Sequence, residues 1–254
     1  MPLEQFSLKG KTALVTGGGR GLGLNMSKAL ADAGANVAVT YVSNAKTVEI
    51  AEDIAKQYGV KCKAYKVEVA DADDVKRSFE QVYKDFGAID IFVANAGISI
   101  GGSAETFDLD SWRRLFDVNV HGVFYSVQAV SKYMLEKGKG SIILISSISG
   151  AVANMPHHQA GYNSTKGAVS LMAKCLAYEW AQRGVRVNTI NPGYMKTDMI
   201  EENTAVQEKW KEYTPMGRLG EANELNGAVV YLASDASSYV TGSELFVDGG
   251  YTAV

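Results

Sequence analysis

Cysteine is almost missing from this chain: Cys62 and Cys175 are the only two in 254 residues. A globule of this length buries roughly three quarters of the surface its extended chain exposes, so burial supplies stability and disulfide staples are not needed. The two thiols, one in a strand-like and one in a helix-like segment, are expected to be reduced core residues. Histidine is scarce as well, with His121 alone and His157 beside His158. No Cys, Asp or Glu stands at ligand spacing from that pair, so no metal centre is expected. Neither sign of charge dominates, since 25 Lys and Arg face 28 Asp and Glu; this excludes the basic field that nucleic acid or anionic lipid requires. No apolar run approaches the roughly 18 residues of a membrane span. The opening "MPLEQFSLKGK" lacks the charged-then-apolar order of a signal segment. The expectation is a soluble, cytoplasmic protein whose ligands are met by local features.

What is present alternates. Short β-branched and apolar runs stand at 11–16 (KTALVT), 36–41 (NVAVTY), 61–67 (KCKAYKV), 89–95 (IDIFVAN), 141–146 (SIILIS), 185–190 (VRVNTI) and 244–248 (ELFVD). Most are continuously apolar, the pattern of strands covered on both faces, and the stretches between them are long enough for crossover helices. This predicts an α/β fold: a Rossmann-type, doubly wound, seven-stranded parallel sheet with helices on both faces. Gly34 and Gly59 each follow a helical stretch where a left-handed residue belongs. No repeat, low-complexity tract or linker divides the chain, so 1–254 reads as one domain, with a cofactor half over about 1–140 and a catalytic half over about 141–254. Of only four prolines, Pro192 and Pro215 bracket the polar segment 194–216, expected to be a mobile helical flap over a cleft.

The first predicted strand runs into "TGGGRGLG", Thr16 to Gly23, and then into a predicted helix. In that context a pyrophosphate sits on the helix N-terminus, and glycines are needed because a Cβ would hold the backbone away from it. At the end of the second strand, an Asp or Glu would accept hydrogen bonds from the ribose hydroxyls of NAD and repel the 2′-phosphate of NADP. The chain has no acid from Thr40 through Lys46, whereas Arg20, Ser43 and Asn44 can all donate to a phosphate. NADPH/NADP+ is therefore the expected cofactor, in preference to NADH. Further on, "AGYNSTKGA" places Tyr162 and Lys166 four positions apart on one helix face. A free phenol ionises near pH 10, too high for proton transfer at neutrality, and a fixed neighbouring cation is expected to lower that value.

These motifs together resemble the short-chain dehydrogenase/reductase family: TGxxxGxG over Thr16 to Gly23, "ANAG" at 94–97 with Ala94 where the family has Asn, YxxxK from Tyr162 to Lys166, "NPG" at 191–193 with Thr197, and "VDGG" at 247–250. The resemblance spans nearly the whole chain. It implies a nucleotide site made by Gly17, Arg20, Gly21, Leu22, Gly23, Tyr41, Ser43, Asn44, Glu68, Val69, Asn95, Ala96, Gly97, Tyr162, Lys166, Pro192, Gly193 and Thr197. Glu68-Val69 replaces the Asp-Val that often meets the adenine. It also implies Tyr162 as general acid, Lys166 as its cationic neighbour and holder of the nicotinamide ribose, and Ser147, three before Gly150 and chosen over Ser146, as donor to the same carbonyl oxygen. Asn119 would hold a water that passes protons to Lys166. The family likeness further implies a homotetramer, with helices after the fourth and fifth strands packing across one interface and the last helix and strand across another.

The loop 151–161 should border the substrate; Ser149, Asn154, His157 and Tyr194 are the candidate contacts, and the remaining loop histidine is expected to be exposed. The polar run Asn154, His157, His158 and Gln159 favours a hydroxylated substrate. Over its length the chain resembles the sugar and polyol reductases of yeasts and fungi, which implies reduction of a ketose such as sorbose, fructose or xylulose. A 3-oxoacyl-carrier-protein reductase is the alternative enzyme and would need a basic patch for its carrier, for which Arg113, Arg114 and Lys132 are candidates. A non-catalytic NADP-binding regulator would lack part of the catalytic set, which is complete here. Because no carboxylate follows Tyr41 in that turn, NADPH is predicted to bind far more tightly than NADH; equal affinities in a fluorescence titration would remove the inference.

Overall fold

The structure is a computed structural model and describes residues 3–197 and 204–253. Its first half alternates β1 (Thr12–Val15), α1 (Gly21–Asp32), β2 (Asn36–Tyr41), α2 (Thr47–Tyr58), β3 (Cys62–Lys66), α3 (Ala72–Phe86) and β4 (Ile91–Ala94). There follow α4 (Leu109–Phe116), α5 (Gly122–Lys137), β5 (Gly140–Ile145), α6 (Ala160–Trp180) and β6 (Val185–Pro192). The remainder holds β7 (Met195–Lys196), α7 (Thr204–Tyr213), β8 (Gly220–Glu221), α8 (Asn226–Ala233) and β9 (Glu244–Val247). Seven strands form one parallel sheet in the order β3-β2-β1-β4-β5-β6-β9. The seven expected strands are these seven. Two-residue β7 and β8 pair separately and carry too little sequence to be foreseen.

Each central strand is apolar throughout because its two faces serve two cores. Leu14, Phe92, Ile142 and Leu144 join α3, α5 and α6 on one face through Phe79, Val127 and Val169. Ala13, Val15, Val93 and Ile143 join α1, α2 and α8 on the other through Leu30, Ile54 and Val229. Asp71 caps α3, accepting from the amides of Asp73 and Asp74 at 3.0 Å, and Gly59 and Gly87 close α2 and α3 in the left-handed conformation. β3 lies on the edge, and its exposed Lys63 and Lys66 keep that edge from pairing onward. The register pairs Val15 with Val93 and Val93 with Ile143, so β1, β4 and β5 finish side by side. Strand order reverses between β1 and β4, which opens a crevice at their carboxyl ends.

Two expectations need correction. Cys175 is exposed rather than in the core, because it falls on the outer stripe of α6 with Leu171 and Tyr178, while Val169, Ala173 and Leu176 take the inner face. Cys62 is half-buried on the edge strand, and burial pushes its thiol up to about 12. Of the flap expected over 194–216, the structure describes β7, α7 and the chain to Met216; residues 198–203 lie outside the described residues. Phe92 is fully buried and meets Phe79 edge-on at 5.9 Å. Phe92→Ala is predicted to cost about 3–5 kcal/mol of unfolding free energy by denaturant titration; a loss below about 1 kcal/mol would show that the two cores are not close-packed there.

Candidate active site

The crevice begins with a hydroxyl. Thr16 Oγ1 accepts from the backbone amides of Asn95 and Ala96, both at 3.0 Å, and so ties the end of β1 to the end of β4. The Asn95 amide donates to the carbonyls of Thr16 at 2.9 Å and Gly17 at 3.2 Å. Gly17 donates its N–H to Thr40 Oγ1 at 3.2 Å, which adds the end of β2. Gly17 and Gly21 have φ of +62° and +50°, a region that favours glycine. A Cβ on Gly23 would lie 2.3 Å from the Gly17 carbonyl oxygen, so only glycine lets α1 start beneath the loop.

The cleft above this cradle holds about 520 Å³. Every nucleotide residue expected from the sequence lines it: Gly17, Arg20, Gly21, Leu22 and Gly23 in the loop; Tyr41 ending β2, with Ser43 and Asn44 beyond it; Glu68 and Val69 after β3; Asn95, Ala96 and Gly97 after β4; Tyr162 and Lys166 on α6; and Pro192 ending β6, Gly193 next to it and Thr197 after β7. The residues present suit a dinucleotide phosphate. The cradle is made of glycines that a side chain would fill, and Ser43 and Asn44 stand exposed at the β2 end with no carboxylate between Thr40 and Lys46.

Sequence reasoning missed Thr47 and gave Arg114 only a carrier-binding role. Thr47, the first residue of α2, is buried beneath Gly19, where a Cβ would come within 2.3 Å of its hydroxyl. Arg114, on α4, lines the cleft and pairs with Glu68 at 3.2 Å. Thr47 carried a sequence signal, a hydroxyl residue at a helix start three positions after Asn44. Arg114 lies 46 residues from Glu68, and no local pattern joins them.

At the inner end of the cleft, Ser147, Tyr162 and Lys166 converge. Ser147 caps a short 3₁₀ turn at 148–150; its Oγ accepts from the Ser149 amide and donates to Ser149 Oγ, both at 3.1 Å. It also faces the Tyr162 phenol and acts on its acidity. Ser146 is turned instead toward α6, donating to the Lys166 carbonyl and sharing a hydrogen with Ser170 Oγ, each at 3.0 Å. Lys166 is 7% exposed, and its Nζ donates to the Ile145 carbonyl at 2.8 Å, 5.7 Å from the centroid of the Tyr162 ring.

The electrostatics differ from the sequence expectation. Burial raises the Tyr162 phenol above its ordinary value, and Ser147 opposes this. The same burial lowers Lys166 to about 8. The shared helix face does place both groups in the cleft, but the lysine stem reaches past the phenol to the end of β5. The side chain of Asn119 is held by protein groups. It lies 1% exposed in a π-helical turn, Asp117–His121, between α4 and α5. Its amide accepts from Ile98 N–H at 2.9 Å and donates to the Ile98 carbonyl at 2.8 Å and to Thr165 Oγ1 at 3.1 Å. The side chain thus fastens the turn after β4 to α6 and is engaged by protein groups.

Of the expected substrate contacts, Ser149, Asn154 and His157 line a second cavity of about 670 Å³. It adjoins the cleft through the Ser147–Ser149 pair. Tyr194 lines neither space; it stacks on Trp210 with ring centroids 4.5 Å apart. His158 is exposed and shares a hydrogen bond with Ser103 at 2.9 Å, whereas His157 is half-buried. The candidate carrier-binding cations are occupied within the chain: Arg114 with Glu68, Arg113 with Asp110 at 2.6 Å, and Lys132 over the Tyr133 ring.

A doubly wound sheet whose glycine-cradled crevice ends on a serine, a tyrosine and a buried lysine defines a dinucleotide-dependent oxidoreductase. Comparison with known proteins gives the family. A family profile described as enoyl-(acyl carrier protein) reductase matches residues 17–252. The sorbose reductase of Candida albicans is 46% identical over 253 residues, covering 98% of this chain and 90% of that protein. An NADP-dependent mannitol dehydrogenase of Hypocrea jecorina is 45% identical over 256 residues, covering 98% and 95%. Among solved structures, the NADPH-dependent 3-quinuclidinone reductase of Rhodotorula rubra has a TM-score of 0.96 at 40% identity, over 100% of this chain and 96% of that one. The chain belongs to the short-chain dehydrogenase/reductase family and is an oxidoreductase.

Because Lys166 loses its charge as the pH rises through about 8, kcat/KM for carbonyl reduction is predicted to decline across that point. A profile flat to pH 10 would show that the lysine charge does not matter to the step.

Proposed function

We propose that this chain is an NADP(H)-dependent carbonyl reductase and alcohol dehydrogenase acting on a ketose/polyol pair, of which sorbose, fructose and xylulose are the first candidates. The observation that carries the reading is the convergence of Ser147 and Tyr162 beside a buried lysine, at the inner end of a cleft built for a dinucleotide. NADPH, when bound, supplies the hydride. Gly17, Gly21 and Gly23 admit its pyrophosphate, and Arg20, Ser43 and Asn44 serve the 2′-phosphate. Ser147 orients and polarises the carbonyl oxygen, and Tyr162 gives its phenolic proton to that oxygen as negative charge develops on it. A phenol raised by burial stays protonated at neutral pH, the form a reduction needs. Lys166 stabilises the phenolate left behind and holds the ribose. Asn119 acts on this group indirectly, by fixing Ile98 and Thr165.

The relatives' names support NADP(H) and a hydroxylated substrate, as does the cavity next to Ser147, where Asn154, His157 and Asn163 offer donors and acceptors to several hydroxyls. A carrier-protein substrate has less support, since Arg113, Arg114 and Lys132 each have a partner inside the chain. A regulator without turnover would not need the complete donor set.

The chain is read as one domain that works as a cytoplasmic homotetramer. No described helix is long and apolar enough to cross a membrane. Leu171 and Tyr178 stand exposed along α6, Phe124 on α5 and Trp112 on α4, an apolar surface suited to a second copy. The outer edge of β9 leaves another. NADPH oxidation should occur with at least one of L-sorbose, fructose and xylulose and be slower with an acetoacetyl thioester; failure with every carbonyl would overturn the reading. Tyr162→Phe is predicted to keep NADPH binding and to lower turnover roughly 10²–10⁴-fold, and a near-normal rate would contradict the proton-donor role.

A further inference from the structure

Four rings from four separate segments meet beside the second cavity: His157 from the loop before α6, Tyr194 after β6, Trp210 from α7 and Tyr251 near the C-terminus. Trp210 Nε1 donates to His157 Nε2 at 2.6 Å. Tyr194 stacks on Trp210 with 11° between ring planes and meets Tyr251 edge-on at 5.4 Å. The Met155 amide donates to the Tyr251 hydroxyl at 3.2 Å, joining the C-terminal turn to the same loop. Among residues 206–213 of α7, Trp210 is the one buried side chain, so this contact anchors a polar helix.

An indole N–H is a donor only, and its partner here must present a lone pair. His157 Nε2 meets that requirement only in the neutral imidazole with its hydrogen on Nδ1. Protonation would set one N–H against another in a half-buried site, losing the bond and leaving the indole unpaired. Burial already lowers the His157 pKa below its ordinary value and favours the accepting form. The ionisable groups around the ring, among the described residues, are the phenols of Tyr194 and Tyr251 and, lining the cavity, Glu105 and His158. The histidine is also coupled to the reaction centre. Its amide donates to the Asn154 carbonyl at 2.9 Å, Asn154 Oδ1 accepts from Asn163 Nδ2 at 2.9 Å, and Asn163 directly follows Tyr162 on α6.

We propose that His157, which lines the second cavity, is a positioning residue for the carbonyl substrate: by accepting the Trp210 indole hydrogen it stays packed against α7 and Tyr194 behind the cavity lining, and its protonation releases that packing. The inference rests on the carbonyl-reductase reading and assigns part of its substrate site. Neither ring touches the reacting atoms, so the effect belongs to substrate KM rather than to cofactor affinity.

His157→Leu, which keeps bulk and removes the acceptor, should raise KM for the carbonyl roughly three- to tenfold with the Kd for NADPH unchanged. His157→Gln retains a carbonyl acceptor and should restore KM. In the wild type, KM should rise as the pH falls through the His157 pKa, which burial holds below the ordinary histidine value of about 6.5, because the neutral form is lost there. That acid limb should be absent in His157→Gln. Intrinsic tryptophan fluorescence of the free protein should follow the same titration in the wild type and lose it in His157→Gln and in Trp210→Phe. An unchanged KM in His157→Leu, an acid limb surviving in His157→Gln, or wild-type fluorescence indifferent to pH would each overturn the proposal. Absence of turnover with every carbonyl would defeat the functional reading instead, and the fluorescence titration would still decide the histidine–indole contact.

Discussion

Everything at the cleft depends on how closely three backbone segments approach one another at the ends of β1, β2 and β4. Thr16, Thr40 and Asn95 supply the hydrogen bonds that draw them together, and glycine supplies the absence of bulk that makes the approach possible. The arrangement is satisfied before any ligand arrives, since the Thr16 and Gly17 carbonyls are already paired with Asn95. The remaining surface of the loop is therefore held in shape for a phosphate group, and binding need not pay to order it. Asn95 lines the cleft, yet its side chain is a strut of the cradle.

The reaction centre is governed by desolvation more than by pairwise charge. Tyr162 and Lys166 share a cleft wall and are each pushed toward neutrality, the phenol upward and the amine downward. In the proposed reaction, the protonated phenol next to Ser147 is the acid for an oxygen that becomes alkoxide. The lysine, tethered to the Ile145 carbonyl, keeps a fixed place while its charge depends on pH within the working range. Asn119 extends the same principle one layer outward: a buried amide with its partners satisfied fixes the backbone on which the donors stand.

The second cavity and its aromatic neighbours are built from segments that come together only in the fold. The loop before α6, the turn after β6, α7 and the C-terminal turn each contribute one ring, and they touch through stacking and a single hydrogen bond. Ser149 joins that region to Ser147, so a ligand filling the cavity would sit against the inner end of the cleft. On the far side of α6, Leu171, Cys175 and Tyr178 face outward, apart from the site.

The strands, the glycine loop and the Tyr162–Lys166 pair were legible because each is written in contiguous residues: continuous apolar runs, glycines at a strand-to-helix junction, and a spacing of one helical turn. The phase of Cys175 was not, since a helix inside a layered fold has one buried side, and only its neighbours decide which. Nor were the Glu68–Arg114 pair, the seat of Asn119 on Ile98, or the bond between Trp210 and His157, which join residues 21 to 53 positions apart. By itself the sequence determined the sheet, the cradle and the spacing of Tyr162 and Lys166, because those follow from local pattern and from what a backbone without side chains can do. Tertiary structure alone decided which groups lose water, and therefore which way each pKa moves and which side chains wall the substrate space, because desolvation and contact are properties of packed neighbours.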